Sequence, residues 1–127
     1  MEIGNYVMFG PQVKIVGKDH NFDMVGVPII YSARPQHPIT TIQNDVWIAT
    51  RSTILAGITI GTGSIVSAGS VVTKDIPPNS IAAGIPAKIV RKRFTELDFE
   101  KHLRVVNAKA QEGSYCNTDR RMDLEKL

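Results

Sequence analysis

The side chains in this sequence that titrate nearest neutral pH, and so are the readiest to accept a proton or act as a nucleophile, are the imidazoles of His20, His37 and His102 and the thiol of Cys116. An imidazole titrates near neutrality and can take a proton from a hydroxyl or an amine. His20 is flanked by Asp19 and Asn21 in a stretch, Gly17 to Asp23, without helical or strand periodicity. It is a candidate base, or else a loop histidine bonding its own turn. His37, in RPQHPIT, stands beside prolines that suggest a positional role. His102 falls among Lys101 and Arg104 in a helical pattern, where a solvated face is expected. The three are too scattered for a zinc site, and no metal is expected. Cys116 has no histidine or second cysteine nearby and reads as an incidental thiol. A cationic cluster, Lys88, Arg91, Lys92 and Arg93, suits an anion. No aromatic interleaving or nucleic-acid motif accompanies it, so nucleic acid is not the expected partner.

The elements that must position these groups are written in a period of six. Ile42, Ile48, Ile54, Ile60, Val66 and Val72 recur at that stride, and so do Gly57, Gly63 and Gly69. A helix repeats at about 3.6 residues and a strand at about 2. Six residues per flat face and three faces per turn instead describe a triangular parallel β-helix. Its narrow interior takes branched aliphatics, while Val46, Ser52, Ile58, Ser64 and Ser70 fill the neighbouring slots and glycines suit the corners. The stride opens with Ile3, Phe9 and Ile15, breaks, and resumes out of phase. His20 to about Pro38 therefore reads as a loop thrown out of the coil, in solenoids often on the working face. Further on, Thr95 to about Gln111 shows a helical pattern with Phe99, Leu103, Val106 and Ala110 on its apolar side, and the polar residues after Gly113 are expected to fray. The predicted fold is all-β. A coil domain spans 1–90 with its loop at about 20–38, and a basic extension with a helix follows over 91–127.

The 127 residues, 43% hydrophobic and 21% charged, suit one compact domain. No apolar run would span a bilayer and no secretory signal is visible. One cysteine excludes an internal disulfide framework and makes the cytoplasm the expected location. A net charge of +3 is only a weak pointer to anionic partners.

Several stretches resemble a known family. DVWIA at Asp45 to Ala49, SAGSVVTKDIPP at Ser67 to Pro78 and GIPAK at Gly84 to Lys88, extended upstream by GKDHNFD, are similar to the hexapeptide-repeat acyltransferases, most of all the galactoside, maltose and polysaccharide O-acetyltransferases. The resemblance implies a left-handed coil, an exception to the right-handed crossover rule, and a homotrimer with acetyl-CoA between subunits. It implies direct acetyl transfer to a hydroxyl of a sugar or cell-envelope polysaccharide. His20 would be the base, and Thr50, through its backbone N–H near the thioester carbonyl, would be both catalytic and cofactor-binding. Ala68 would touch the pantetheine arm, Thr73 and Lys74 the nucleotide end, and Lys88 and Arg91, with Arg93 a further choice, the phosphates. Trp47 is expected on a strand edge, packing against the loop or a neighbouring subunit. An amine on an amino sugar or antibiotic is the alternative acceptor. Family members usually carry further coils or a helical segment before the stretch matching Ile3 to Phe9, so a truncated, non-catalytic solenoid is the remaining alternative.

Overall fold

An aliphatic residue at every sixth position lets the chain bend at regular intervals while returning a side chain to the same axis. The computed structural model, which describes residues 1–17, 20–36 and 39–108, is built in this way. Nine short strands, β1 (Glu2–Ile3), β2 (Met8–Phe9), β3 (Lys14–Val16), β4 (Thr41–Ile42), β5 (Trp47–Ile48), β6 (Thr53–Leu55), β7 (Thr59–Ile60), β8 (Ile65–Val66) and β9 (Val71–Val72), precede β10 (Ser80–Gly84), β11 (Ala87–Lys92) and a helix α1 (Glu96–Val106). Through β9, successive strands do not pair with one another. They enter three sheets in turn, ordered β1-β4-β7, β2-β5-β8-β10 and β3-β6-β9, all parallel, with β11 added antiparallel beside β10. The result is a three-faced coil closed by a hairpin.

Register stacks like on like. Ile3, Ile42 and Ile60 form one inward ladder, Phe9, Ile48, Val66 and Ala82 a second, and Ile15, Ile54 and Val72 a third. From Ile42 to Val72 these residues are fully buried, each contributing about 1.5–3 kcal/mol by leaving water. Ile3 and Phe9 keep the predicted phase but remain 47% and 43% exposed, because β1 and β2 have a neighbour on one side only.

Val46, Ser52, Ile58, Ser64 and Ser70 fill the slots between ladders and are buried. Their hydroxyls are satisfied internally: Ser52 Oγ donates to the Ser67 carbonyl at 3.0 Å and Ser64 Oγ to the Pro77 carbonyl at 2.8 Å. The corners at 45, 51, 57, 63 and 69 all take positive φ. Glycine does so without steric cost, whereas Asp45 and Arg51 need support from their neighbours. Arg51 Nε donates to Gln12 Oε1 at 2.9 Å.

Between β3 and β4 the chain leaves the coil as predicted, and the element formed there is a 3-10 turn at Ile29–Tyr31. The neck of this loop is tied by Asn21, whose N–H donates to the Ala33 carbonyl at 3.0 Å and whose Nδ2 donates to the Ser32 carbonyl at 2.8 Å. The buried Ser32 hydroxyl bonds back to the Asn21 carbonyl.

The chain divides into two compact units, Met1–Arg93 and Phe94–Leu127. In the second, α1 starts at an N-cap, Thr95, whose Oγ1 accepts the Asp98 N–H at 3.2 Å. It stops at Val106, where the Asn107 N–H returns to the Leu103 carbonyl, short of the Gln111 that apolar spacing suggested. His102 is half-buried, its ring 4.9 Å from that of Phe94, and so does not sit on a solvated face. His37, Ala110 and Cys116 lie outside the described residues. Among the described residues no helix is long and apolar enough to cross a membrane.

Candidate active site

The three faces of the coil meet at three edges, and the edges decide which candidate residues can meet. Thr50 follows β5 and Ala68 follows β8, both at the edge leading to the β3-β6-β9 sheet. There they line an open groove of about 550 Å³ with Gly10, Trp47, Ile65 and Ser67. The Thr50 turn is locked around its side chain: Oγ1 donates to the Pro11 carbonyl at 2.8 Å, and the Thr50 carbonyl accepts the Gly69 N–H at 2.9 Å. The Thr50 N–H has no acceptor among the described residues, and the residue is exposed. A fixed turn with a free amide at the wall of a groove is a preorganised donor for an oxygen that gains negative charge.

Trp47 does not stand on an edge strand. β5 lies between β8 and β2, and Met8, Trp47, Ile65 and Ile81 form an outward ladder across the sheet. Of the outward ladders of the other sheets, Glu2-Thr41-Thr59 is polar, and the β3-β6-β9 sheet mixes Lys14-Thr53-Val71 with an apolar Val16–Leu55 pair. The β2-β5-β8-β10 sheet alone carries an unbroken apolar ladder outside as well as inside.

Lys88 and Arg91 share that outward face. A regular strand would put residues three apart on opposite sides. In the β10–β11 hairpin, Lys88 pairs with Ala83 and Arg91 with Ile81, but the register shifts between Ile81 and Ala82, leaving Val90 as the extra residue of a bulge. Both cations thus fall on the side of Ile81, Ile65 and Trp47. Lys92, opposite Ser80, falls on the other. Arg93 does not project as a free cation: its Nη1 lies 2.7 Å from Asp45 Oδ2.

His20, Thr73 and Lys74 occupy a different edge. They follow β3 and β9, strands of the same sheet, where the chain turns toward the β1-β4-β7 sheet or leaves for the loop. His20 is partly buried and its Nδ1 is enclosed without a hydrogen-bond partner among the described residues. Thr73 and Lys74 are exposed, and Lys74 makes no ion pair among the described residues. A six-residue face, at most about 20 Å of extended chain, separates this edge from the Thr50 groove. The proposed base and the proposed oxyanion donor are not brought together within one coil. Among the described residues no three His, Cys, Asp or Glu side chains gather as a metal-binding group.

The family described as Bacterial transferase hexapeptide (six repeats) matches residues 39–74. Galactoside O-acetyltransferase of Escherichia coli (strain K12) is 40% identical over 95 residues, covering 71% of this chain and 43% of that protein. A maltose O-acetyltransferase structure from Clostridium difficile 630 superposes with a TM-score of 0.61 at 32% identity, over 74% of this chain and 57% of that one. A hexapeptide-repeat acetyltransferase of Vibrio cholerae O1 biovar eltor, complexed with acetyl coenzyme A, gives 0.59 at 32% identity, over 73% and 50%. The chain spans less than half the length of the curated relatives it matches. With the repeat ladder, the corner pattern and these likenesses in agreement, residues 39–74 carry the hexapeptide repeats of the bacterial transferase family, and the chain is similar over about three quarters of its length to galactoside and maltose O-acetyltransferases.

Proposed function

We propose that this chain forms an acetyl-CoA-dependent O-acetyltransferase, a left-handed coil acting as a homotrimer on a sugar or cell-envelope polysaccharide hydroxyl in the cytoplasm. The observation that carries the reading is the groove whose wall offers the free Thr50 amide while Lys88 and Arg91 stand on the same sheet face. Coenzyme A needs this combination: an extended slot for pantetheine, a donor at the thioester carbonyl and cations for phosphates. Ala68 would border the arm, and Thr73 and Lys74 of a neighbouring subunit would approach the nucleotide end.

His20 takes the hydroxyl proton as the acceptor oxygen attacks the thioester carbonyl. The oxyanion is held by the Thr50 N–H. The intermediate collapses with cleavage of the carbon–sulfur bond, and the proton passes from His20 to the departing coenzyme A sulfur. The acetyl ester and coenzyme A are the products, and no covalent enzyme intermediate is needed. Since His20 and Thr50 sit on different edges, the site is completed between subunits. Two apolar surfaces support that assembly: the Met8-Trp47-Ile65-Ile81 ladder, in which Met8 and Trp47 are exposed and Ile65 and Ile81 half-buried, and the exposed loop residues Phe22, Val25, Ile30 and Tyr31.

Calorimetric titration with acetyl-CoA tests the reading without knowledge of the acceptor. Saturable binding retained by His20→Ala, with acetyl transfer to a panel of glycosides lost in that variant, is the expected result. A folded chain that does not bind acetyl-CoA, or a His20→Ala variant that still transfers at the wild-type rate, overturns it.

A further inference from the structure

The strand that carries Lys88 and Arg91 is poorly held by its own packing. Five of the six residues of β11 are exposed, and its one strand neighbour is β10. A cation on such a strand meets a phosphate reliably only if the strand's far end is fixed. Arg93, just past that end, fixes it three ways. Its N–H donates to the Asn79 carbonyl at 2.9 Å, and its Nη1 bonds Asp45 Oδ2 at 2.7 Å and the Gly63 carbonyl at 3.2 Å. Asp45, Gly63 and Asn79 are positive-φ corner residues of successive coils, so one side chain and its own amide join β11 to the edge of the coil at three levels. The pair is only partly open to water, with side chains 25% and 23% exposed. Asp45 also begins the stretch that runs through Trp47 to Thr50.

We infer that the Arg93–Asp45 ion pair is a positioning device that holds Lys88 and Arg91 over the outward face of the sheet, where they meet the phosphorylated nucleotide end of coenzyme A. Neither residue of the pair touches the cofactor. This inference rests on the coenzyme A reading above. It differs from the plain alternative, that Arg93 is one more phosphate cation, in the sign of one effect.

Asp45→Asn decides between them. Asparagine tolerates positive φ as aspartate does, so the corner is preserved. The substitution removes a negative charge and makes the neighbourhood more positive. If Arg93 acts on the phosphates directly or through its field, coenzyme A binds more tightly in this variant. If the pair positions β11, coenzyme A binds more weakly. Pantetheine, which lacks the nucleotide, reports on the groove alone.

Asp45→Asn and Arg93→Ala are each expected to weaken coenzyme A binding about tenfold, equivalent to losing one charge-assisted tie, while pantetheine affinity stays within about twofold. Arg93→Lys, which retains the charge but not the fork, falls between. Thermal melting checks that each variant is folded; should Asp45→Asn fail to fold, the Arg93→Lys comparison carries the test, since a point charge acting on phosphate would be unaffected. Unchanged or tighter coenzyme A binding in Asp45→Asn overturns the inference, as does an equal loss for both ligands. Wild-type protein that binds neither ligand overturns the coenzyme A reading itself, a different result from wild-type binding with an indifferent Asp45→Asn.

Discussion

A Cβ on Gly10 would stand 2.5 Å from the amide nitrogen of Thr50 and 2.9 Å from its Cα. The first coil therefore passes the Thr50 turn at a distance that only a residue without a side chain permits. Both parties to the clash are backbone, so a rotamer change cannot relieve it. Gly10→Ala is expected to cost about 1–3 kcal/mol in stability through overpacking and to displace the Thr50 turn. Melting temperature and acetyl transfer should fall together. A variant that melts and turns over like the wild type would show that the two backbones are not this close.

The face shared by Lys88 and Arg91 makes a prediction that adjacency in sequence does not. Lys88→Ala and Arg91→Ala should each weaken coenzyme A binding by about tenfold and flatten its dependence on salt. Lys92→Ala, one residue along but on the opposite side of β11, should change affinity by less than about twofold. Equal losses at all three positions, in titrations at low and moderate ionic strength, would mean that the bulge does not sort these cations.

The difference between what the sequence revealed and what it concealed has a physical basis. A stride of six is a local rule, so the ladder from Ile42 to Val72, the serine slots and the departure of the loop are all legible in the sequence. The same stride placed Ile3 and Phe9 in the coil, but burial depends on neighbours above and below, and these two residues lack one. Lys88 and Arg91 were legible as cations, whereas their common face depends on a bulge created by pairing with β10. In the sequence Arg93 looks like a further phosphate cation because its partner, Asp45, is 48 positions away. No local pattern announces a contact of that span. The resemblance implies that His20 of one chain lies opposite the later coils of another, and the order of strands in the sheets supplies a physical reason: His20 and Thr50 follow strands at different edges.

Ser64 offers a test of the serine slots. It is fully buried, its Oγ donates to the Pro77 carbonyl at 2.8 Å and accepts the Ser80 N–H at 3.1 Å. Alanine fits the space but leaves a buried donor and a buried acceptor unpaired. Ser64→Ala is expected to lose about 1–3 kcal/mol, read as a lower urea midpoint with an unchanged slope. Ser64→Val should be worse, because it removes the same two bonds and adds volume to a filled slot. A Ser64→Ala midpoint equal to wild type would mean that the hydroxyl contributes nothing to holding the last coil.

The separation of His20 from Thr50 can be tested by mixing two inactive chains. His20→Ala removes the proposed base but leaves the groove, while Ala68→Phe fills the groove but leaves that base. In the proposed homotrimer, each variant alone should be inactive. If every site takes its base from one chain and its groove from the next, co-refolding equal amounts creates some sites with both parts intact. A random mixture gives each site a half chance of an intact base donor and an independent half chance of an intact groove donor, so about a quarter of wild-type activity should return. A site contained within one chain would recover nothing, since every chain in the mixture is defective. Intermediate recovery should follow the mixing ratio, peaking at equal proportions. A flat response at zero, with mixed trimers demonstrated by mass, would place His20 and the Thr50 groove of the same coil in one site and contradict the edge assignment.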